Sequence, residues 1–432
     1  MQPSNYAEDP TIADLTLFEL WSGGHYPNYL RLILESWRDH GTGRLRAIVT
    51  NRFLDQHRFV FEGFENTPSS PVRWVTLDEA DEAALYAARA YAEGIGKKPP
   101  EGTGTRTDGI LTLFWALVEK YSRRFPSRHI LLMNLDEYLL ALSAGRRAPA
   151  DFSGIFFRPN YYYRSENADA SFKQPILNTL QERLVLRLLN HPQLRIAFFI
   201  DPCVADSLKG RGSAQVIYLK DPVRLPVPQP KAERAATKSR LGVPADRKLF
   251  LLFGDITSRK GVWKIIDSLG KLTHEETARI CLAIVGHAEA IVEQPLAQRL
   301  KAASASTPLM IIRRAAYVDE RELGDWFTAA DVVLAPYVRH VGMSGILLLA
   351  AAYRKPVISQ DFGAMGRVTL EYRLGLTADP TNPTDLVRAM RRFLDETPPP
   401  DFDPELAYAF AREQSHEQFG ETLLGALKPF IC

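Results

Sequence analysis

The chain's 432 residues are enough for two domains of ordinary size, and a content of 46% hydrophobic and 24% charged residues is that of a globular protein. With 53 Lys+Arg against 51 Asp+Glu the formal charge is only +2, so no global field recruits nucleic acid. Cys203, Cys281 and Cys432 lie too far apart for a metal-binding spacing, and their sparse, odd number points to a reducing compartment.

No run approaches the roughly 18 apolar residues of a membrane-spanning helix. The opening MQPSNYAEDPTIAD lacks the basic-then-apolar pattern of a signal peptide, so a cytoplasmic protein is expected. A peripheral contact with the inner face of a membrane stays open.

Asp14 to Leu20 reads as a first strand, followed by a glycine loop with Gly23 and Gly24, and by a helix with Pro27 near its first position. Strand, glycine turn and helix begin a Rossmann-like unit, without the full dinucleotide fingerprint. Arg44 to Thr50 and Val72 to Leu77 are further strands, and Glu79 to Glu93 is an alanine-rich helix. Gly94 to Thr107 is expected to be a mobile loop, and Asp108 to cap a helix whose Phe114 and Trp115 enter the core. Ile130 to Met133 is a strand that ends in Asn134, Leu135, Asp136 and Glu137. Polar groups at the carboxyl end of a strand face the crevice, so Asp136 or Glu137 is a candidate for a cleft role, with capping of the next short helix as the rival.

Gly154 to Arg158 is a strand, and the tyrosines of PNYYYR could stack on a sugar or plug an edge. Ile176, Leu177, Leu180, Leu184 and Leu188 are placed on one helix face. Leu194 to Ile200 and Gln215 to Leu219 close the first domain. KDPVRLPVPQP, with four prolines in eleven residues, reads as a short, stiff linker.

KLFLLFGDITSRKG (Lys248 to Gly261) is a strand of the doubly buried type, a turn at Gly254, and a helix start carrying Arg259 and Lys260. Two cations at a helix N-terminus just past a strand suit a diphosphate, although solvated surface charges would look the same. Asp331 to Ala335 is a second such strand, followed by the loop Tyr337 to Met343 and the helix opened by Ser344 and Gly345. Backbone N–H groups of Gly342, Met343, Ser344 and Gly345 would point from that helix start toward the same crevice. Asp401 and Asp403 imitate a metal-binding pair, but their proline-flanked position favours helix capping. The helix Glu405 to Leu427 is expected to return to the first domain.

These stretches resemble a known family in order. FGDITSRKGVWKIIDSL, CLAIVG, YVDERELGDWFTAADVVLAPY, SGILLLAAAYRKPVISQDFGAMGRV and GLTADPTNPTDLVRAM are similar to the C-terminal domain of GT-B glycosyltransferases of family 4, also called glycosyl transferases group 1, over about 150 residues. VIYLKDPV resembles the family's hinge. Two departures stand out: Asp255 occupies the place of a usual arginine, and Val341 and Leu349 occupy those of a usual glutamate pair.

The resemblance implies an α/β chain of two Rossmann-like domains facing each other across a cleft. Residues 1–220 with the returning helix 402–432 form the acceptor side, 221–232 the linker, and 233–400 the nucleotide-sugar side. It implies transfer of a sugar from a nucleotide-diphosphate sugar to a sugar, lipid-linked or small-molecule acceptor, with retention and without a metal or other cofactor. Arg259, Lys260 and Gly342 to Gly345 would hold the donor diphosphate. Gly23 and Gly24 match the family's cleft loop, which makes His25 a candidate polar contact beside the reading of a loop histidine bonded to nearby backbone. The family often places a histidine at the strand end where Asp136 stands, so a role carried over to Asp136 rests on position. The alternatives are a GT-B-fold binding protein without catalysis, favoured by Asp255, Val341 and Leu349, and a nucleotide-sugar epimerase, which would need carboxylates and a histidine converging on the sugar.

Overall fold

The computed structural model describes residues 12–21, 26–92, 108–157, 162, 174–227, 231–288, 290–316, 318–338, 340, 342–396, 399 and 401–432. The chain divides into two compact units: one takes the residues up to Pro222 and regains His416–Cys432, the other is Val223–Ser415.

The first unit carries a seven-stranded parallel sheet of β1 (Ala13–Glu19), β2 (Leu45–Val49), β3 (Val72–Thr76), β4 (Ser127–Leu132), β5 (Asp151–Phe156), β6 (Leu194–Phe199) and β7 (Gln215–Tyr218), in the order β3-β2-β1-β4-β5-β6-β7. β2 and β6 are nearly continuous apolar runs because helices cover both faces of a parallel sheet. The helix Tyr26–His40 presents Tyr29, Leu30, Ile33 and Trp37 to a core shared with Leu423 and Leu427 of the helix His416–Ile431. Phe114 and Trp115 are buried as expected.

The second unit carries a six-stranded parallel sheet of β8 (Lys248–Phe253), β9 (Ile280–Val285), β10 (Met310–Arg314), β11 (Val332–Ala335), β12 (Val357–Gln360) and β13 (Gly375–Ala378), in the order β10-β9-β8-β11-β12-β13. The helix Gly345–Ala352 is apolar almost all round, with Ile346, Leu347, Leu348 and Ala350 to Ala352 buried. Burying a leucine side chain contributes roughly 1.5–3 kcal/mol. This helix is therefore held to the sheet by core packing rather than by surface charge.

Three expectations change. The face of Gln174–Leu189 that meets the core runs through Asn178, Val185, Leu188 and Leu189, and Leu180 is 51% exposed. Of the five apolar positions chosen from spacing, Leu188 is buried, Leu184 is half buried and Leu180 is exposed, while the side chains of Ile176 and Leu177 lie outside the description. The last stretch is two helices, not one: Pro404–Glu413 packs in the second unit against Gly345–Ala352, and His416–Ile431 packs in the first against Tyr26–His40. The second unit also starts earlier than residue 233. Val223 is buried in its core, and its N–H donates to the Gln414 carbonyl at 2.8 Å. Asp403 caps its helix as expected, accepting from the Glu405 and Leu406 amides at 3.1 Å each. Gly94 to Thr107 and PNYYYR fall outside the described residues, apart from Tyr162.

Candidate functional site

Each sheet changes its direction of winding once. In the second unit this occurs between β8 and β11, adjacent in the sheet though far apart in sequence. The loops leaving two such strands diverge to opposite faces, which leaves a crevice at their carboxyl ends. Both cation-bearing and glycine-bearing segments singled out in the sequence leave this pair of strands.

After β8 the chain turns at Gly254, whose φ of +95° favours glycine. A Cβ there would lie 2.5 Å from the Lys260 Nζ, so a side chain would require that ammonium to move. Ser258–Lys260 form a single 3-10 turn before the helix Val262–Leu269, and Gly261, at φ +75°, lets the backbone pass against the Pro336 carbonyl that follows β11. Lys260 is not a solvated surface charge, one of the two readings its sequence context allowed. It is buried, and its Nζ donates to the Phe253 carbonyl at 2.5 Å. That bond uses one of three ammonium donors, and the group still stands at the carboxyl end of β8. Arg259 is exposed, with its guanidinium 5.3 Å from the Tyr337 ring, and Lys260 Nζ is 5.6 Å from the same ring.

The loop after β11 is fastened to this segment. Val338 N–H donates to the Arg259 carbonyl at 2.7 Å. Arg259 Nη1 lies 3.2 Å from His340 Nδ1, and His340 Nε2 lies 2.9 Å from the Met343 carbonyl. Ser344 caps the helix Gly345–Ala352: its Oγ accepts from Ile346 N–H at 3.3 Å and donates to Tyr337 Oη at 3.0 Å. Among the described residues no acceptor meets the amides of Gly342, Met343, Ser344 and Gly345. A Cβ placed on Gly342 or Gly345 would meet nothing within 4 Å. Four amides at a helix start, two of them on glycines with open space at Cβ, and two cations thus stand on the segments that leave β8 and β11. This combination suits an extended anion.

His340, Tyr337 and Gln360 were not singled out from the sequence. Gln360 is fully buried at the end of β12 and donates to the carbonyls of His340 and, at 2.8 Å, of Phe362. The available signal was position: a polar residue at the end of a strand, and an aromatic pair in a loop between strand and helix. Asp255 is exposed, and Leu349 is half buried against the apolar core, so no carboxylate stands at that place on the helix. Val341 lies outside the described residues.

In the first unit the winding changes between β1 and β4. Gly23, Gly24 and His25 lie outside the described residues. Asp136 is described, and its Oδ2 accepts from Phe157 N–H at 2.7 Å. It therefore ties down the exit of β5; the 3-10 turn that contains it, Leu135–Tyr138, has no side-chain cap. Glu19, at the end of β1, was missed. It is buried, its Oε1 accepts from Trp21 N–H at 2.7 Å, and its Oε2 has no partner among the described residues. Burial above all, and then the neighbouring Glu137 carboxylate, push its pKa up to about 8, against the lowering by the Trp21 bond. Asn134, at the end of β4, donates to Tyr26 Oη at 3.0 Å. Among the described residues no group of three or more His, Cys, Asp or Glu is placed to hold a metal ion, and no helix is long and apolar enough to cross a membrane.

Solved structures match almost the whole chain. Anabaena Alr3699/HepE in complex with UDP and glucose superposes with a TM-score of 0.63 at 14% identity, covering 96% of this chain and 99% of that one. WaaG, a glycosyltransferase involved in lipopolysaccharide biosynthesis, gives 0.60 at 15% identity, covering 95% and 98%. The fold is GT-B. Within the second unit, residues 247–396 of this GT-B chain match the family described as Glycosyl transferases group 1. A D-inositol 3-phosphate glycosyltransferase of a Nocardioides species is 27% identical over 199 residues, 41% of this chain and 43% of that protein. One of Xylanimonas cellulosilytica is 31% identical over 161 residues, 37% of this chain and 36% of that protein. The similarity thus spans less than half the length of these curated relatives.

Proposed function

We propose that the protein is a glycosyltransferase that takes a sugar from a nucleotide-diphosphate sugar. The observation that carries this reading is the convergence of Arg259, Lys260 and the amides of Gly342 to Gly345 at the β8–β11 crevice. Breaking the bond between the sugar and the diphosphate leaves negative charge on the phosphate oxygen. Fixed N–H donors and cations aimed at that oxygen lower the barrier because they need no reorganisation as the charge develops. The match of residues 247–396 to group 1 glycosyl transferases supports the reaction class. The solved complexes of Alr3699/HepE with UDP and with UDP-glucose support a nucleotide sugar as donor.

The acceptor is assigned to the first unit, at the carboxyl ends of β1 and β4. The reaction retains anomeric configuration, and the departing phosphate assists removal of the acceptor's proton. Charge stabilisation falls to protein cations and amides, so treatment with a chelator is expected to leave the rate unchanged. A second reading, nucleotide-sugar binding without transfer, is favoured by Leu349, which places an alkyl group where the family has a carboxylate. Incubation with a panel of nucleotide sugars and candidate polyol acceptors, with detection of free nucleoside diphosphate, separates the two. Release that depends on acceptor supports transfer. Tight binding without release across the panel supports the second reading.

A further inference from the structure

His340 links the two halves of the anion site through both ring nitrogens. An arginine offers only donors, so the Arg259 Nη1 at 3.2 Å fixes His340 Nδ1 as an acceptor without a proton. A carbonyl offers only lone pairs, so the Met343 oxygen at 2.9 Å places the imidazole proton on Nε2. The ring is thereby held neutral in one tautomer. Its backbone is pinned as well: the His340 carbonyl accepts from Gln360, which is fully buried. The His340 and Tyr337 rings lie 5.4 Å apart, and Tyr337 in turn accepts from Ser344. One imidazole therefore sets both the position of the Arg259 guanidinium and the turn that presents the amides of Gly342 to Gly345.

We propose that His340 is a positioning residue of the diphosphate site and takes up a proton when the diphosphate binds; this rests on the donor-binding reading above. Phosphate oxygens compete for the Arg259 N–H groups, and a guanidinium that turns to them leaves Nδ1 without a donor. The bound anion also offsets the two cations beside the ring. Nδ1 then accepts a proton from solvent, and the imidazolium becomes a third cationic donor beside the phosphates while Nε2 keeps Met343.

The charged and titratable groups that face the ring are Arg259 and Lys260 from the segment after β8 and Tyr337 from its own loop; β12 contributes the uncharged Gln360. In the free protein burial, the largest cause, and the two cations lower the His340 pKa to about 4, against the Met343 bond. The ring is thus unprotonated near neutrality until the ligand changes its surroundings.

The test is calorimetric titration of the full chain with UDP-glucose in buffers of different ionisation enthalpy. This probe has no group that titrates between about pH 5 and about pH 8, so any proton exchanged belongs to the protein. The expected result is uptake of roughly a third of a proton to one proton per ligand at about pH 6, falling to near zero at about pH 8. His340→Gln retains an N–H for Met343 and a carbonyl for Arg259. It should still bind at about pH 8 and show no uptake at about pH 6. His340→Ala loses both bonds and should bind about tenfold more weakly or worse. Binding by the parent without proton uptake, or uptake that persists in His340→Gln, overturns the proposal while leaving the donor reading intact. Failure of the parent to bind any nucleotide sugar overturns the donor reading, and the proposal with it.

Discussion

Replacing Ser344 by aspartate separates the stability of the helix Gly345–Ala352 from its use as an anion site. Ser344 now caps the Ile346 amide and donates to Tyr337 Oη. Aspartate is as good a cap as serine, its charge suits the positive end of the helix dipole, and Tyr337 can reverse its hydrogen bond and donate to the new carboxylate. The melting temperature should therefore stay close to the parent's.

A bound phosphate faces the opposite balance. A carboxylate about 4 Å from a phosphate charge costs about 4 kcal/mol at an effective dielectric of about 20, close to a thousandfold in affinity. Ser344→Ala is the control: it loses one cap, about 1 kcal/mol of stability, and little affinity. Thermal melting and titration with a nucleoside diphosphate measure both quantities on the same preparations. If Ser344→Asp bound the diphosphate as the parent does, this helix start would not face the donor, and the catalytic reading would lose its main support.

Lys260→Ala removes a charge-assisted bond worth roughly 1.5–3 kcal/mol, so nucleoside-diphosphate affinity should fall about tenfold to a hundredfold. Nucleoside affinity should hold, and equal loss for both ligands would assign Lys260 to the fold alone, through the Phe253 carbonyl. Glu19→Gln tests the buried carboxyl at the end of β1. Its pKa rises from 4.5 to about 8 on folding, so the folded chain holds a proton that the unfolded chain releases between those values. Stability from this group is therefore lost as pH rises through that window, on the order of 5 kcal/mol once it is complete. The glutamine variant should melt with the parent near pH 4.5 and several degrees above it at about pH 9. Parallel melting curves for the two proteins across that range would show that Glu19 is solvated.

The strands were legible because a parallel sheet covered on both faces demands short apolar runs, and LFLLF and CLAIVG satisfy no other environment as well. Gly254 was legible because its turn imposes a local demand on φ. The buried stripe of Gln174–Leu189 was not, because which arc of a helix meets the sheet depends on how the helix is rotated against its neighbours. The sequence left Lys260 open between a diphosphate contact and a solvated surface charge, because its alkyl chain can lead either outward or back beneath the turn. Only the Phe253 carbonyl and the Tyr337 ring decide between them. Glu19 gave no signal, since an acid at the end of a strand is ordinary until the loops that bury it are known.

The sequence by itself determined two α/β units, a proline-rich passage near their boundary, and two segments that carry cations and glycine amides at the ends of strands. These follow from hydrophobic runs and backbone demands that neighbouring residues settle among themselves. Only the tertiary structure decided that Arg259 meets His340, 81 positions away, and that Gln360 holds the turn between them. Those contacts exist because β11 inserts beside β8 rather than beside β10, so the order of strands, and not their composition, chooses which loops share a crevice.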